Sequence, residues 1–141
     1  MREIKILFRG KRIDNGEWVY GWLGSLHCSN SQTKEIESVY FTEISEGFDC
    51  RLNVIVDYKT VGQYTGLTDK NGVRIFEGDI VSLVKHDSLI YKVVYVPCRY
   101  ELVNSKGVNC FVLDIYKSEN IEVIGNIHDN PEILKGGGDN G

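Results

Sequence analysis

The distribution of glycines along the chain is the sequence feature that most limits the folds it can adopt. The sequence holds 15 glycines but only 2 prolines, and the glycines separate short runs rich in β-branched and aromatic residues. Such a pattern is typical of many short strands joined by tight turns. Helical periodicity is nearly absent, so the sequence predicts an all-β protein.

The first predicted hairpin spans residues 4–23 and turns near Asn15-Gly16. Asn-Gly supplies the positive φ angles of a type I′ turn, but a two-residue loop would place Asp14 opposite Glu17. Like charges that face each other across an antiparallel pair are unfavourable. We therefore expect a longer loop that includes Glu17, or an early end to the pairing.

A second hairpin is predicted around Asn71-Gly72, again with a two-residue loop. The cross-strand pairs that follow from this loop are Lys70 with Val73, Asp69 with Arg74, and Leu67 with Phe76. Opposite charges would meet in this register, so the second hairpin is predicted with a definite pairing.

The rest of the chain reads as further strands. We predict strands at 39–44, 52–58, 80–84, 89–96, 100–103, 108–115 and 121–127, with an exposed loop at 27–37. Their spacing favours a small barrel. The chain is therefore predicted as a single compact domain over 1–135, in which an N-terminal β subdomain (1–60) packs on a barrel subdomain (61–135). The Gly-rich tail 136–141 is predicted to be disordered.

Composition and charge exclude several classes of protein. The formal charge is -4 and the apolar fraction is 42%, which argues against a disordered chain or a uniformly basic nucleic-acid binder. The segment after Met1 is charged, and no apolar run is long enough for a membrane helix, so we expect a cytoplasmic protein. In that compartment the four cysteines are expected to be free thiols that are buried or half-buried.

Three stretches of the chain carry a resemblance to a known family. They are 8–11 (Phe-Arg-Gly-Lys) with 18–21 (Trp-Val-Tyr-Gly), 61–72 (Val-Gly-Gln-Tyr-Thr-Gly-Leu-Thr-Asp-Lys-Asn-Gly) with 76–81 (Phe-Glu-Gly-Asp-Ile-Val), and 123–127 (Val-Ile-Gly-Asn-Ile) with 130–131 (Asn-Pro). Together they resemble the YopX family of phage and prophage proteins. The resemblance implies a β-rich fold with an SH3-like barrel in its C-terminal part and a bacterial host, and it implies no particular activity.

Two turn-rich segments, 64–67 and 77–79, have residue types that occur both in chemical sites and in tight turns. The segment 64–67 is not grouped like a phosphate loop, because strand rather than helix is predicted after it. Glu77 and Asp79 bring carboxylates together, but two ligands do not make a metal site. The preferred interpretation is structural: Asn71-Gly72 forms a tight turn, Gly78 bends the chain, and Asp79 accepts hydrogen bonds from turn amides.

No catalytic, metal or cofactor site can be assembled from the remaining candidates. The cysteines and histidines stand at spacings that match no zinc signature. A Cys-His nucleophile lacks an activating neighbour in the sequence. We therefore predict a protein that is not an enzyme and that needs no cofactor.

The sharpest hypothesis concerns one face of the first hairpin. The pairing implied by Asn15-Gly16 would place basic and aromatic side chains together on this face, namely Arg9 and Lys11 with Trp18, Tyr20 and Trp22, and with Ile13 beside them. An exposed face of this kind can stack bases and hold phosphates. In the preferred alternative, the aromatic rings pack on the barrel and the basic stems cover their edges.

These observations leave two functional hypotheses. The first is a phage accessory protein that binds a protein partner, or itself, through the aromatic surface. The second is a nucleic-acid-binding module that uses the basic and aromatic hairpin face.

Overall fold

A computed structural model describes residues 7–28, 36–43, 52–84, 89–104, 107, 110–114 and 118–137. The described residues are mostly strand, which confirms the predicted β class. The strands, numbered β1 to β11 in chain order, are Phe8–Lys11, Trp18–Cys28, Ile36–Glu43, Leu52–Asp57, Gly62–Thr68, Arg74–Phe76, Asp79–Leu83, Leu89–Val96, Arg99–Val103, Cys110–Val112 and Ile121–Asn126. A 3-10 turn occupies Tyr58–Thr60, and a short helix, α1, occupies Pro131–Gly137.

The chain divides into two compact units between Gln63 and Tyr64, inside β5. In the first unit the antiparallel strand order is β4-β3-β2-β1-β5. Side chains from several of these strands and from the linker before β5 form its core, namely Val19, Val54, Val56, Phe8 and Val61. Burial of such branched and aromatic side chains is the main stabilising contribution to a sheet with one covered face.

The sheet of the first unit curls back on itself. An antiparallel bridge joins Arg12, which follows β1, to Val56 on β4. Gly10 lies so close to Val56 that a Cβ atom there would stand 2.9 Å from the valine Cγ2. Only glycine fits this crossing without movement of its neighbour.

The second unit contains an antiparallel sheet in the order β10-β9-β8-β7-β11. Its core is built mainly from the buried faces of these strands: Ile75, Val81, Leu83, Tyr91, Val93, Leu102, Leu113 and Ile121. Helix α1 lies beside β8. Among the described residues, no helix is both long and apolar enough to cross a membrane.

The second hairpin differs from its predicted register. Thr68, not Asp69, pairs with Arg74, and Tyr64, not Leu67, pairs with Phe76. The Gly72 N–H donates to the Asp69 carbonyl at 3.0 Å, and Gly72 has a φ of 80°, so the loop holds three residues, 70–72. A one-residue shift turns a side chain to the other face of the hairpin, which is why Asp69 is buried instead of meeting Arg74.

Element ends also depart from the sequence expectations. β2 runs to Cys28 and β3 begins at Ile36, so both ends of the predicted loop 27–37 are strand, while 29–35 lie outside the described residues. The expected disordered tail is wrong at Gly136 and Gly137, because the helix begun at Pro131 continues through them. Residues 138–141 lie outside the described part of the chain.

Candidate interaction face

The loop of the first hairpin sets the register of the candidate site. The last ladder pair is Lys11 with Trp18, so residues 12–17 connect the paired strands and the two-residue loop does not form. Beyond it the Arg12 N–H donates to the Glu17 carbonyl at 2.9 Å, and the Gly16 N–H donates to the Arg12 carbonyl at 3.0 Å. Gly16 has a φ of 71°, where glycine is favoured.

Side chains of this loop hold it together. The Arg12 guanidinium donates to both carboxylate oxygens of Asp14, at 2.9 and 2.7 Å. This hydrogen bonding holds the pKa of the exposed Asp14 carboxyl below its usual value. The Asn15 side-chain oxygen accepts from the Glu17 N–H at 2.9 Å, which places Glu17 beyond the turn. The like charges at 14 and 17 are therefore not directly opposed.

The observed register preserves the predicted face. Arg9 pairs with Tyr20 and Lys11 with Trp18, whereas a two-residue loop would pair Lys11 with Tyr20. The shift is two residues along β2, and side chains alternate with a period of two, so the same set shares one side of the sheet. We call Arg9, Lys11, Trp18, Tyr20 and Trp22 the basic-aromatic face.

The basic residues of this face are held against Trp18. The Arg9 guanidinium carbon lies 4.7 Å from the Trp18 ring centroid, and the Lys11 ammonium nitrogen lies 5.7 Å from it. Arg9 is only 7% exposed, in spite of its charge. A guanidinium tolerates such burial better than an ammonium does, because it is weakly hydrated and stacks on aromatic rings.

The other two rings of the basic-aromatic face are open to solvent. Tyr20 is 41% exposed and Trp22 is 51% exposed. The preferred interpretation of the sequence, that the aromatic side chains are covered, is therefore wrong for Tyr20 and Trp22. Trp18, half-buried beneath Arg9 and Lys11, is the ring that the basic side chains do cover.

Two isoleucines extend the exposed apolar surface of the first unit. Ile13 was expected on the hairpin face, but it lies in the loop, where its N–H donates to the Ile55 carbonyl at 3.2 Å. Both side chains are exposed. Ile55 belongs to the same side of the sheet as Trp22, since Trp22 pairs with Thr42 and Thr42 pairs with Asn53, two residues before Ile55. Sequence reasoning missed Ile55 because its side depends on a register carried across three strands.

Asp79, one of the two candidate carboxylates beside Gly78, bonds the backbone of the bend. Gly78 has a φ of 91°, and its N–H donates to the Val93 carbonyl at 2.9 Å. Asp79 is buried, and its Oδ2 accepts from the Phe76 N–H at 2.7 Å. This geometry orients Asp79 toward the backbone of the bend.

Other candidate chemistry is not brought together. Residues 64–67 lie within β5 and lead into the second hairpin, so no helix N-terminus follows them as a phosphate site requires. Within the described ranges, no cluster of histidine, cysteine and carboxylate side chains could hold a metal ion. Cys98 is a free thiol at the β8–β9 turn, but it is exposed, so the expected burial is wrong at this position. Cys50 and His86 lie outside the described residues.

The chain is similar to a described protein family and to a solved structure. A family model described as YopX protein matches residues 7–135. No curated protein matches the chain. Among solved structures, the crystal structure of protein EF1440 from Enterococcus faecalis is similar to it, with 24% sequence identity and a TM-score of 0.49, over 94% of this chain and 99% of that one.

Proposed function

Because the chain belongs to the YopX family over residues 7–135, we propose that it is a phage or prophage accessory protein that acts by binding a protein surface through Tyr20 and Trp22. In this proposal the protein works in the cytoplasm of a bacterial host and carries out no catalysis of its own. We also propose an SH3-like barrel for its C-terminal part, which the run of short antiparallel strands in the order β10-β9-β8-β7-β11 supports.

The observation that carries this proposal is the exposure of two large aromatic side chains on one side of a sheet. Tyr20 and Trp22 are 41% and 51% exposed and stand two residues apart on β2. Large exposed apolar patches are rare on monomeric proteins, and where they occur they commonly mark interaction surfaces. Tyrosine and tryptophan are also the residue types enriched among the side chains that dominate binding energy.

The position of the basic side chains favours a protein over a nucleic acid. A nucleic-acid site needs cations that reach phosphates while neighbouring rings stack on bases. Here Arg9 is buried with its guanidinium over Trp18, and Lys11 approaches the same ring. The solvent-facing part of the basic-aromatic face is therefore aromatic, and Ile55 on the same side of the sheet adds apolar surface.

Capture from bacterial cells tests the proposal. The tagged full chain is expressed in a host that carries the prophage, before and after induction, and is purified with and without nuclease. Two variants accompany it: Tyr20→Ala with Trp22→Ala, and Tyr95→Ala as a matched control. Tyr95 is 56% exposed and lies on β8 of the second unit, so it offers a similar ring at a different site.

The proposal predicts a protein that co-purifies after nuclease treatment with the wild type and with Tyr95→Ala but not with the double variant. A second copy of the chain, detected through a differently tagged version, would identify self-assembly as the form of the interaction. Recovery of nucleic acid with binding that weakens steeply as salt rises would instead support the second hypothesis and overturn this one. Equal recovery of protein by all three chains would also overturn it.

A further inference from the structure

Strand β11 ends the sheet of the second unit, with β7 as its neighbour on one side. On its other side a strand normally presents backbone N–H and C=O groups that invite a further strand. In this protein, backbone groups on that side of β11 are hydrogen-bonded to residues from outside the sheet. These residues come from the second hairpin and from the turn before α1.

The turn of the second hairpin occupies the first part of this edge. The buried Asp69 carboxylate accepts from the Val123 N–H at 3.0 Å through Oδ2. Its Oδ1 accepts from the N–H groups of Asn71 in the loop and Val73 just after it, at 2.8 and 2.9 Å. The Lys70 N–H donates to the Ile121 carbonyl at 3.0 Å. These donors and acceptors stand where a neighbouring strand would supply its own backbone groups.

Asn130 occupies the far end of the same edge. Its side-chain oxygen accepts from the Asn126 N–H at 3.3 Å, and its own N–H donates to the Asn126 carbonyl at 2.9 Å. The side chain lies directly on Gly125, where a Cβ atom would stand 2.7 Å from the Asn130 oxygen. The glycine at 125 thus leaves room for the asparagine to reach the strand.

We propose that Asp69 and Asn130 are edge-blocking residues, which keep β11 from adding a strand of a second copy of this chain. An antiparallel β11–β11 pair is the addition they oppose, because two copies of the same exposed edge can pair about a two-fold axis. Both residues lie in segments that carry the family resemblance, Asp69 in 61–72 and Asn130 in 130–131. The inference is independent of the proposed function, since it concerns the second unit alone.

Amide hydrogen exchange of the full chain measures the block directly. The variants are Asp69→Ala, Asn130→Ala and Asn130→Asp, which keeps an oxygen that can accept from the Asn126 N–H. Asp129→Ala is the matched control, because the Asp129 carboxylate accepts from the Asn126 side-chain N–H at 3.1 Å, while the Asn126 backbone N–H donates to the Asn130 side chain. Each variant is also made with Tyr20→Ala and Trp22→Ala, so that association through the basic-aromatic face does not contribute.

In Asn130→Ala we expect the Asn126 amide to exchange about tenfold faster, the effect of losing one ordinary hydrogen bond, with the Val123 amide unchanged. Asp69→Ala should accelerate exchange at Val123, and Asn130→Asp should restore protection at Asn126. Light scattering should show concentration-dependent dimers for the alanine variants and none for Asp129→Ala. Unchanged exchange at both amides, or folded alanine variants that associate no more than the control, would overturn the proposal.

Discussion

Arg9 reaches diagonally across the first hairpin to Trp18: its guanidinium carbon lies 4.7 Å from the ring centroid, although its directly opposed partner on β2 is Tyr20. Diagonal neighbours on a sheet are within reach of long and aromatic side chains. This contact covers Trp18 and leaves Tyr20 exposed. It therefore separates a structural part of the basic-aromatic face from an exposed part.

The Arg9–Trp18 contact predicts energetic coupling between the two residues. In a double-mutant cycle with Arg9→Met and Trp18→Leu, the coupling free energy of unfolding should be about 0.5–2 kcal/mol, the range of cation–π pairs from exposed to desolvated sites. Denaturant unfolding of the four chains measures it. In the wild type the Arg74 guanidinium carbon lies 5.9 Å from the Tyr64 ring centroid. The same cycle with Arg74→Met and Tyr64→Leu should therefore give a smaller coupling free energy. Additive effects of Arg9→Met and Trp18→Leu would contradict the account.

The close approach of Gly10 to Val56 predicts a second coupling. Gly10→Ala should lower the free energy of unfolding by about 1–3 kcal/mol, because the new methyl group overpacks the crossing of β1 and β4. Val56→Ala removes the Cγ2 atom that a Cβ at residue 10 would approach to 2.9 Å. The double variant should therefore lose less stability than the sum of the single variants, as thermal or denaturant unfolding can show. A fully additive double variant would mean that the contact does not explain the glycine.

The two hairpins show what the sequence could and could not predict. The Asn-Gly dipeptide located both turns, but it fits loops of different length, and loop length decides register. In the first hairpin the error was two residues, which preserved the side of the sheet on which Trp18, Tyr20 and Trp22 lie. In the second the error was one residue at Arg74 and three at Phe76. The one-residue error at Arg74 turned Asp69 from an expected partner of that arginine into a buried acceptor for Val123.

Solvent exposure was harder to predict than side-chain direction. Alternation along β2 places Tyr20 and Trp22 on one side of the sheet but says nothing of what covers that side. Aromatic residues are usually buried, so the sequence favoured coverage for all three rings. Trp18 is covered by the basic side chains that were expected at the ring edges, whereas Tyr20 and Trp22 are exposed. The helix at Pro131–Gly137 was missed because it is too short to show a period and ends in glycines.

Asp79 is predicted to stabilise the bend at Gly78. Asp79→Ala removes the acceptor for the Phe76 N–H, and loss of an acceptor at a buried position should lower the free energy of unfolding by about 1–3 kcal/mol. Asp79→Asn keeps an acceptor oxygen and should lose less. A melting temperature for Asp79→Ala equal to that of the wild type would show that the hydrogen bond contributes nothing.

The Arg12–Asp14 pair predicts an effect at acid pH. Hydrogen bonding to Arg12 lowers the pKa of Asp14 in the folded chain below its unfolded value. The associated stabilisation is therefore present above the unfolded pKa, about 4, and is lost as pH falls through the folded pKa. NMR titration should show the Asp14 pKa rising toward its ordinary value in Arg12→Gln. An Asp14 pKa that does not change in this variant would remove the guanidinium as the cause.

The most direct test of the central claim is the affinity of the protein recovered by nuclease-resistant capture for purified wild type, Trp22→Ala and Tyr95→Ala. If the exposed rings of the basic-aromatic face form the contact, Trp22→Ala should bind about thirtyfold more weakly, or about 2 kcal/mol, the effect of a residue that dominates an interface. Tyr95→Ala should bind like the wild type. Equal affinity of Trp22→Ala and wild type, with all three chains folded, would contradict the claim.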